Sequence, residues 1–185
     1  MKRVLVPLAE GFEELEAVTI IDILRRAGIE VIVAALTDNP VTGSHGITLS
    51  ADATLDAVSG QEFDLIALPG GMPGAANLMD DSRIGGIIRR LFDGGGHVAA
   101  ICAAPMVLAA AGVLEGRRAT CFPGILDRSA DLTLVDEPVV VDGRIITSRG
   151  PGTALDFALE LVAQLSGPGT RQKIESQLQR GGAGR

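Results

Sequence analysis

Arg3-Val4-Leu5-Val6-Pro7-Leu8 and, one helix-length segment later, Glu30-Val31-Ile32-Val33-Ala34-Ala35 decide the fold. Both runs are short, apolar and rich in branched side chains, as buried strands are. Between them, the segment from Glu14 to Ala27 places Leu15, Val18, Ile21 and Leu24 at helical spacing. That spacing predicts a helix burying this face, and Gly28 closes it. Strand, helix and strand in so short a span predict neighbouring parallel strands joined by a right-handed crossover.

Working outward, the alternation continues. Val41 to Ser50, interrupted by Gly43 and Gly46, reads as a small hairpin, and Asp64 to Leu68 as a third main strand ending in Pro69-Gly70-Gly71. Arg83 to Phe92 is helical and stops at Gly94-Gly95-Gly96. Val98-Ala99-Ala100-Ile101 is a fully apolar strand that runs straight into Cys102. Pro105 then occupies a first-turn position that tolerates proline, and Met106 to Ala111 continue that helix to Gly112. Ala119-Thr120-Cys121 reads as a short strand. Val139-Val140-Val141 and Arg144-Ile145-Ile146-Thr147 bracket Asp142-Gly143, a hairpin turn. Ser148 to Thr153 forms a rigid loop before a helix from Ala154 to Leu165, and the tail from Gly181 is expected to fray. The whole reads as one domain over residues 1–185, an α/β fold with a doubly wound, mainly parallel sheet and helices on both faces.

Composition agrees. The 185 residues are 46% hydrophobic and 21% charged but only 3% aromatic, so the core must be built from Val, Ile, Leu and Ala. A net charge of -7 without a dense Lys/Arg run gives no nucleic-acid footprint. No apolar stretch reaches membrane-spanning length. Cys102 and Cys121 make no disulfide framework and fit no metal motif by spacing. The opening strand lacks the long apolar core of a leader peptide, so a cytoplasmic location is expected.

In open α/β sheets ligands gather beyond the carboxyl ends of the strands, and three features converge there. Cys102, wedged between a strand and a helix start, sits among unpaired amides that favour a thiolate, so its pKa is expected to fall. Gly70-Gly71 lets the backbone approach a ligand and offer oxyanion-type donors. It lacks the Lys-Ser/Thr ending of a phosphate loop and the three-glycine dinucleotide spacing. Glu16 is the candidate acid among Glu13, Glu14 and Glu16: a carboxyl turned into the sheet edge beside a thiol would be desolvated and partly protonated. The dipole of the first helical turn accounts for Glu13 or Glu14. His97 opens the strand that ends at Cys102, about 16 Å away, and His45 lies in the hairpin, so no Cys-His dyad is evident. Cys121 is expected to be buried and structural.

Glu13-Glu14-Leu15-Glu16-Ala17, Leu68-Pro69-Gly70-Gly71, Ala100-Ile101-Cys102-Ala103-Ala104-Pro105 and Thr147-Ser148-Arg149-Gly150-Pro151-Gly152-Thr153 resemble, in order and spacing, the motifs of the ThiJ/PfpI superfamily, closest to its DJ-one/YajL branch. The resemblance implies a flavodoxin-like fold and a homodimer. Cys102 would be the conserved thiol, Glu16 its hydrogen-bonded protonated carboxyl, and Gly70, Gly71 and Ala103 the backbone donors. Arg26 matches a position near the partner subunit's pocket. Members are described as stress-protective, with a cysteine that oxidises to the sulfinate and with glyoxalase or deglycase activity on methylglyoxal or its adducts. Neither a metal nor an organic cofactor is implied. Ala103 replaces the histidine that follows the cysteine in the protease-like and chaperone-like branches, which argues against a peptidase. Phe122 replaces a pocket histidine of the DJ-one branch, and Gly43 and Ser50 replace its peripheral cysteines. Two functions share this site: an enzyme acting on small 2-oxoaldehydes, and a redox-responsive protective chaperone without turnover.

Overall fold

Strand β1 (Arg3–Leu8) and strand β2 (Glu30–Ala35) pair in parallel from Arg3↔Glu30 to Leu8↔Ala35, joined through helix α1 (Glu14–Arg26). The computed structural model describes residues 1–126 and 131–180, so the tail expected to fray lies outside the described residues. After β2 come the hairpin β3 (Val41–Thr42) and β4 (Thr48–Leu49), the edge strand β5 (Ala53–Thr54) and one helical turn, α2 (Leu55–Val58). Next follow β6 (Leu65–Leu68), α3 (Gly74–Asp80), α4 (Ser82–Asp93), β7 (His97–Ile101) and α5 (Pro105–Ala110). A separate parallel pair, β8 (Arg117–Ala119) and β9 (Leu132–Leu134), precedes the antiparallel hairpin of β10 (Val139–Asp142) and β11 (Ile145–Ser148). Helices α6 (Ala154–Ser166) and α7 (Pro168–Gln177) close the described chain.

The main sheet has seven strands in the order β10-β11-β7-β6-β1-β2-β5, parallel except at the β10 edge. Within it β2-β1-β6-β7-β11 is the flavodoxin-like winding, and the direction of winding reverses between β1 and β6. Alternation along each strand feeds two cores. Val4, Val6, Ala67, Ala99 and Ile146 face α1, α6 and α7, while Leu5, Ile66, Leu68, Val98 and Ile145 face the layer of α2 to α5. Every central strand is therefore covered on both sides, which explains its uninterrupted apolar sequence.

Two expectations need correction, and one further helix is present. The buried face of α1 is Glu16, Ala17, Ile20, Ile23 and Leu24, whereas Leu15 and Val18 are 53% and 45% exposed. Glu16 and the small Ala17 are both fully buried there. Cys121 lies just beyond β8, not in a strand, because the strand begins earlier at Arg117. Helix α7 was not anticipated: Pro168 starts it at a position where the missing N–H costs nothing, and a single buried residue, Ile174, holds its centre.

Candidate active site

Three turns meet where the winding reverses. Glu16 arrives on the first turn of α1, Gly70 and Gly71 from the turn after β6, and Cys102 as the residue after β7. Cys102 has φ +64°, a left-handed conformation that residues with a Cβ rarely adopt and that costs about 1–3 kcal/mol. The surroundings hold it there. Its N–H donates to the Ser148 carbonyl at 2.9 Å, and its carbonyl accepts from the Phe122 N–H at 2.8 Å. Ser148 is itself fully buried, and its hydroxyl bridges to the Pro138 carbonyl and the Thr153 hydroxyl, each at 2.7 Å. The result is a half-buried thiol presented by a fixed backbone.

The amides of Ala103 and Gly71 act on the sulfur, each favouring its thiolate. Gly70 plays a different part from the one expected of it: its N–H is committed to Glu16 Oε2 at 2.7 Å. Its lack of a side chain is what lets the three groups meet, since a Cβ would lie 2.7 Å from Cys102 Cβ and 2.9 Å from Glu16 Oε2. Helix α5 has only six residues, so these individual amides, and not a long helix dipole, polarise the site.

Glu16 is fully buried. Oε2 has the Gly70 donor, while Oε1 has no well-directed hydrogen-bond partner. Burial pushes this carboxyl up to about 7; the Gly70 amide and the Cys102 thiol oppose the rise, and the charge of Glu13 adds to it. The expected fall in the thiol's pKa does not occur beside an ionised Glu16. Burial, then the Glu16 charge and hydrogen bond, push Cys102 up to about 12 against the Ala103 and Gly71 amides. Both shifts express one fact: two negative charges do not fit in this pocket. Between about pH 7 and about pH 12 the two residues hold one proton between them. When Glu16 carries it, the sulfur is a thiolate facing two amides, with the carboxyl as a third donor.

Glu14, two residues earlier, serves structure, a role its helix-start position did not reveal. It is buried beneath the β3–β4 hairpin, where Oε1 accepts from the His45 N–H at 2.7 Å and the Ile47 N–H at 3.2 Å. Oε2 lies 3.1 Å from His45 Nδ1. Burial alone would raise Glu14, but its own backbone N–H and those of His45 and Ile47, with the imidazole, hold it at about 2. Glu13, Glu14 and His45 bring ligating atoms within 4.8 Å of one another, and these hydrogen bonds account for the arrangement. The signal available in the sequence was Gly43, where a Cβ would run into the Glu14 carboxyl.

The remaining candidates separate. Arg26 lies at the far end of α1, roughly 15 Å along the axis from Glu16, and pairs with Asp22 at 2.6 Å; within one subunit it is not part of the pocket. His97 starts β7, at the opposite end from Cys102. Cys121 is half-buried, not buried, at a cleft of about 360 Å³ lined also by Leu126, Asp136 and Arg149. Phe122, in contrast, is beside the site, its backbone tied to Cys102 and its ring 47% exposed. No helix of the described residues is long and apolar enough to cross a membrane.

Comparison with known proteins agrees with this fold. The chain is 42% identical to Drosophila melanogaster DJ-1beta over 180 residues, 96% of each chain, and the crystal structure of that protein superposes with a TM-score of 0.91. It is 38% identical, over 86% of each chain, to a Caenorhabditis elegans protein named glutathione-independent glyoxalase DJR-1.2. It also matches the Arabidopsis thaliana DJ-1 homologues A and B at 41% and 43% identity, but spans only 46% and 39% of their length. The DJ-1/PfpI family model matches residues 2–164, and the chain belongs to the DJ-1/PfpI family.

Proposed function

We propose that this chain is a stress-protective, cysteine-dependent enzyme that converts small 2-oxoaldehydes such as methylglyoxal to 2-hydroxy acids without glutathione, and that acts on their early adducts by the same chemistry. The observation that carries this reading is a Cys102 sulfur faced by two amides with a buried, protonatable carboxyl against it. The name of the nematode relative supports it.

With the shared proton on Glu16, the Cys102 thiolate attacks the aldehyde carbon and a C–S bond forms. The carbonyl electron pair moves to oxygen, where the Gly71 and Ala103 amides steady it, and Glu16 delivers its proton to give a hemithioacetal. Glu16, now a carboxylate, removes the proton from the former aldehyde carbon, and the adduct's hydroxyl proton passes to the neighbouring oxygen as the enediolate forms. Returning that proton to the neighbouring carbon leaves a thioester. Water then breaks the C–S bond, releasing the hydroxy acid and restoring the thiolate. The sum is 2-oxoaldehyde plus water to 2-hydroxy acid, with no external oxidant or reductant.

A second reading is favoured by the unpartnered Oε1 of Glu16. Peroxide would oxidise the thiolate through the sulfenate to the sulfinate, and a protonated Oε1 would donate to a sulfinate oxygen, halting the ladder there. In that reading the protein is a redox-responsive protective chaperone without turnover. Either role needs a thiol kept reduced, so a cytoplasmic setting is part of the proposal. A homodimer is part of it as well: Leu15, Val18 and Ile47 leave apolar surface on α1 and the neighbouring hairpin for a second copy to cover. Leu15→Glu with Val18→Glu should then yield a monomer in sedimentation, and an unchanged mass would remove this face from consideration.

The deciding experiment follows methylglyoxal consumption and lactate formation by wild type and Cys102→Ser without added glutathione. Lactate that depends on Cys102 supports the enzyme. Its absence, from protein whose Cys102 still oxidises to the sulfinate, selects the redox reading.

A further inference from the structure

Phe122 is the exposed exception in a chain with five phenylalanines, no Trp and no Tyr: Phe12 and Phe157 are fully buried, while the Phe122 ring stands at the surface. It forms one wall of a cleft of about 310 Å³, with Pro123 beside it and the segment from Arg149 to Thr153 opposite. The exposed surface of this cleft is almost wholly apolar; Arg149, the charged residue in its wall, is paired with Asp136. The ring lies over Gly150, 3.4 Å from where a Cβ there would be. The two walls are the two segments hydrogen-bonded to Cys102. Phe122 donates to its carbonyl, and Cys102 donates to Ser148, two residues before Gly150. An apolar cleft is thereby tied to the reactive residue through one backbone hydrogen bond on each side.

Resting on the enzymatic reading above, we infer that Phe122 is a specificity-determining residue, and that the cleft it forms with Gly150 and Pro151 receives the side chain of a bulky apolar 2-oxoaldehyde, aryl or branched alkyl. Methylglyoxal would leave the cleft empty. A phenyl group fits, since a dry cavity of roughly 150 Å³ already admits benzene. Its burial against the Phe122 ring adds area and an aromatic contact that a methyl group cannot supply. A hydroxyl or charged group in place of the phenyl would be desolvated with no donor or acceptor offered by these apolar walls.

The test compares kcat/KM for phenylglyoxal and methylglyoxal in wild type, Phe122→Leu and Phe122→Ala. Wild type should prefer phenylglyoxal by roughly ten-fold or more, in the range expected when one apolar group fills a pocket. Phe122→Ala should lose most of that ratio and Phe122→Leu should keep part of it. Equal falls for both substrates, or an unchanged ratio, would overturn the inference. A second measurement separates its failure from failure of the enzymatic reading. The rate at which Cys102 is alkylated by N-phenyl iodoacetamide relative to iodoacetamide, followed by intact mass, needs no turnover. If neither aldehyde is consumed, a ratio that drops in Phe122→Ala supports the aryl cleft, and a ratio indifferent to the substitution rejects it.

Discussion

Glu14 and Glu16 stand two residues apart on one helical turn, both buried, and their protonation is opposite: about 2 for Glu14 and about 7 for Glu16. Burial pushes each of them upward, and far more strongly Glu16, which lies deeper. Glu14 looks out under a hairpin whose amides and imidazole all donate to it. Glu16 looks into the sheet edge, where one amide donates to Oε2 and Oε1 has no hydrogen-bond partner. Depth of burial and number of donors together decide whether a carboxyl is a fixed anion or a proton carrier. The first of the two anchors the hairpin, and the second can carry a proton in the proposed reaction.

The largest expected effect is on catalysis. Glu16→Gln should lower Cys102-dependent turnover by roughly 100-fold or more, because general acid–base transfer is lost while the thiol and amides stay. The pH–rate profile should also lose its inflection near 7, and an inflection that survives would assign that proton to another group. Gly70→Ala comes next. A Cβ at 2.7 Å from Cys102 Cβ must displace either the cysteine or Glu16, so turnover should fall with a smaller loss of stability, measured side by side. Glu14→Ala should leave the chemistry in place but cost about 3 kcal/mol, the scale of losing charge-assisted hydrogen bonds to buried amides. Thermal melts should then drop by roughly 6–12 °C for a domain of this size; a near-wild-type Tm would mean that water replaces the carboxylate without penalty.

Smaller effects test the sign of each shift. Glu16 binds its proton more tightly in the folded chain, with an ordinary value of 4.5 raised to about 7. Its contribution to stability is therefore fully present below 4.5 and lost as pH rises through 7. Glu16→Gln should remove this pH dependence and gain about 2.5 kcal/mol at pH 8 relative to pH 5, somewhat below the full shift because the unfolded carboxyl is already mostly ionised at pH 5. Glu14 runs the other way: its contribution is present above 4.5 and lost only as pH falls through about 2. A denaturant series from pH 3 to 8 on both variants separates the two slopes. The least effect belongs to His45→Ala. The imidazole is raised by Glu14 and Glu13 yet exposed, so any loss should be confined to pH values at which it is protonated.

Much of this layout can be read before any coordinates. The apolar runs of β1, β2, β6 and β7 are continuous because both faces of each strand are covered, and Asp142-Gly143 marks its hairpin by the positive φ that Gly143 adopts. Cys102 is legible for a related reason: an apolar strand that ends on a cysteine just before a helix leaves that residue nowhere to go but a tight turn. What the pattern misplaced was rotation. Leu15 and Val18 have the helical spacing of a core face, yet Ala17 and Glu16 are the residues turned inward.

By itself, then, the sequence determined the winding of the sheet, the glycine turn and the identity of the thiol, because these depend on local periodicity and on backbone conformations that few residues accept. Only the tertiary structure decided what each polar group does. Gly70 serves the carboxyl and not the sulfur, Glu14 anchors while Glu16 titrates, and Phe122 opens a cleft beside Cys102. These assignments rest on which donors from distant parts of the chain reach a given oxygen or sulfur, and that is a property of packing in three dimensions, which no spacing along the chain encodes.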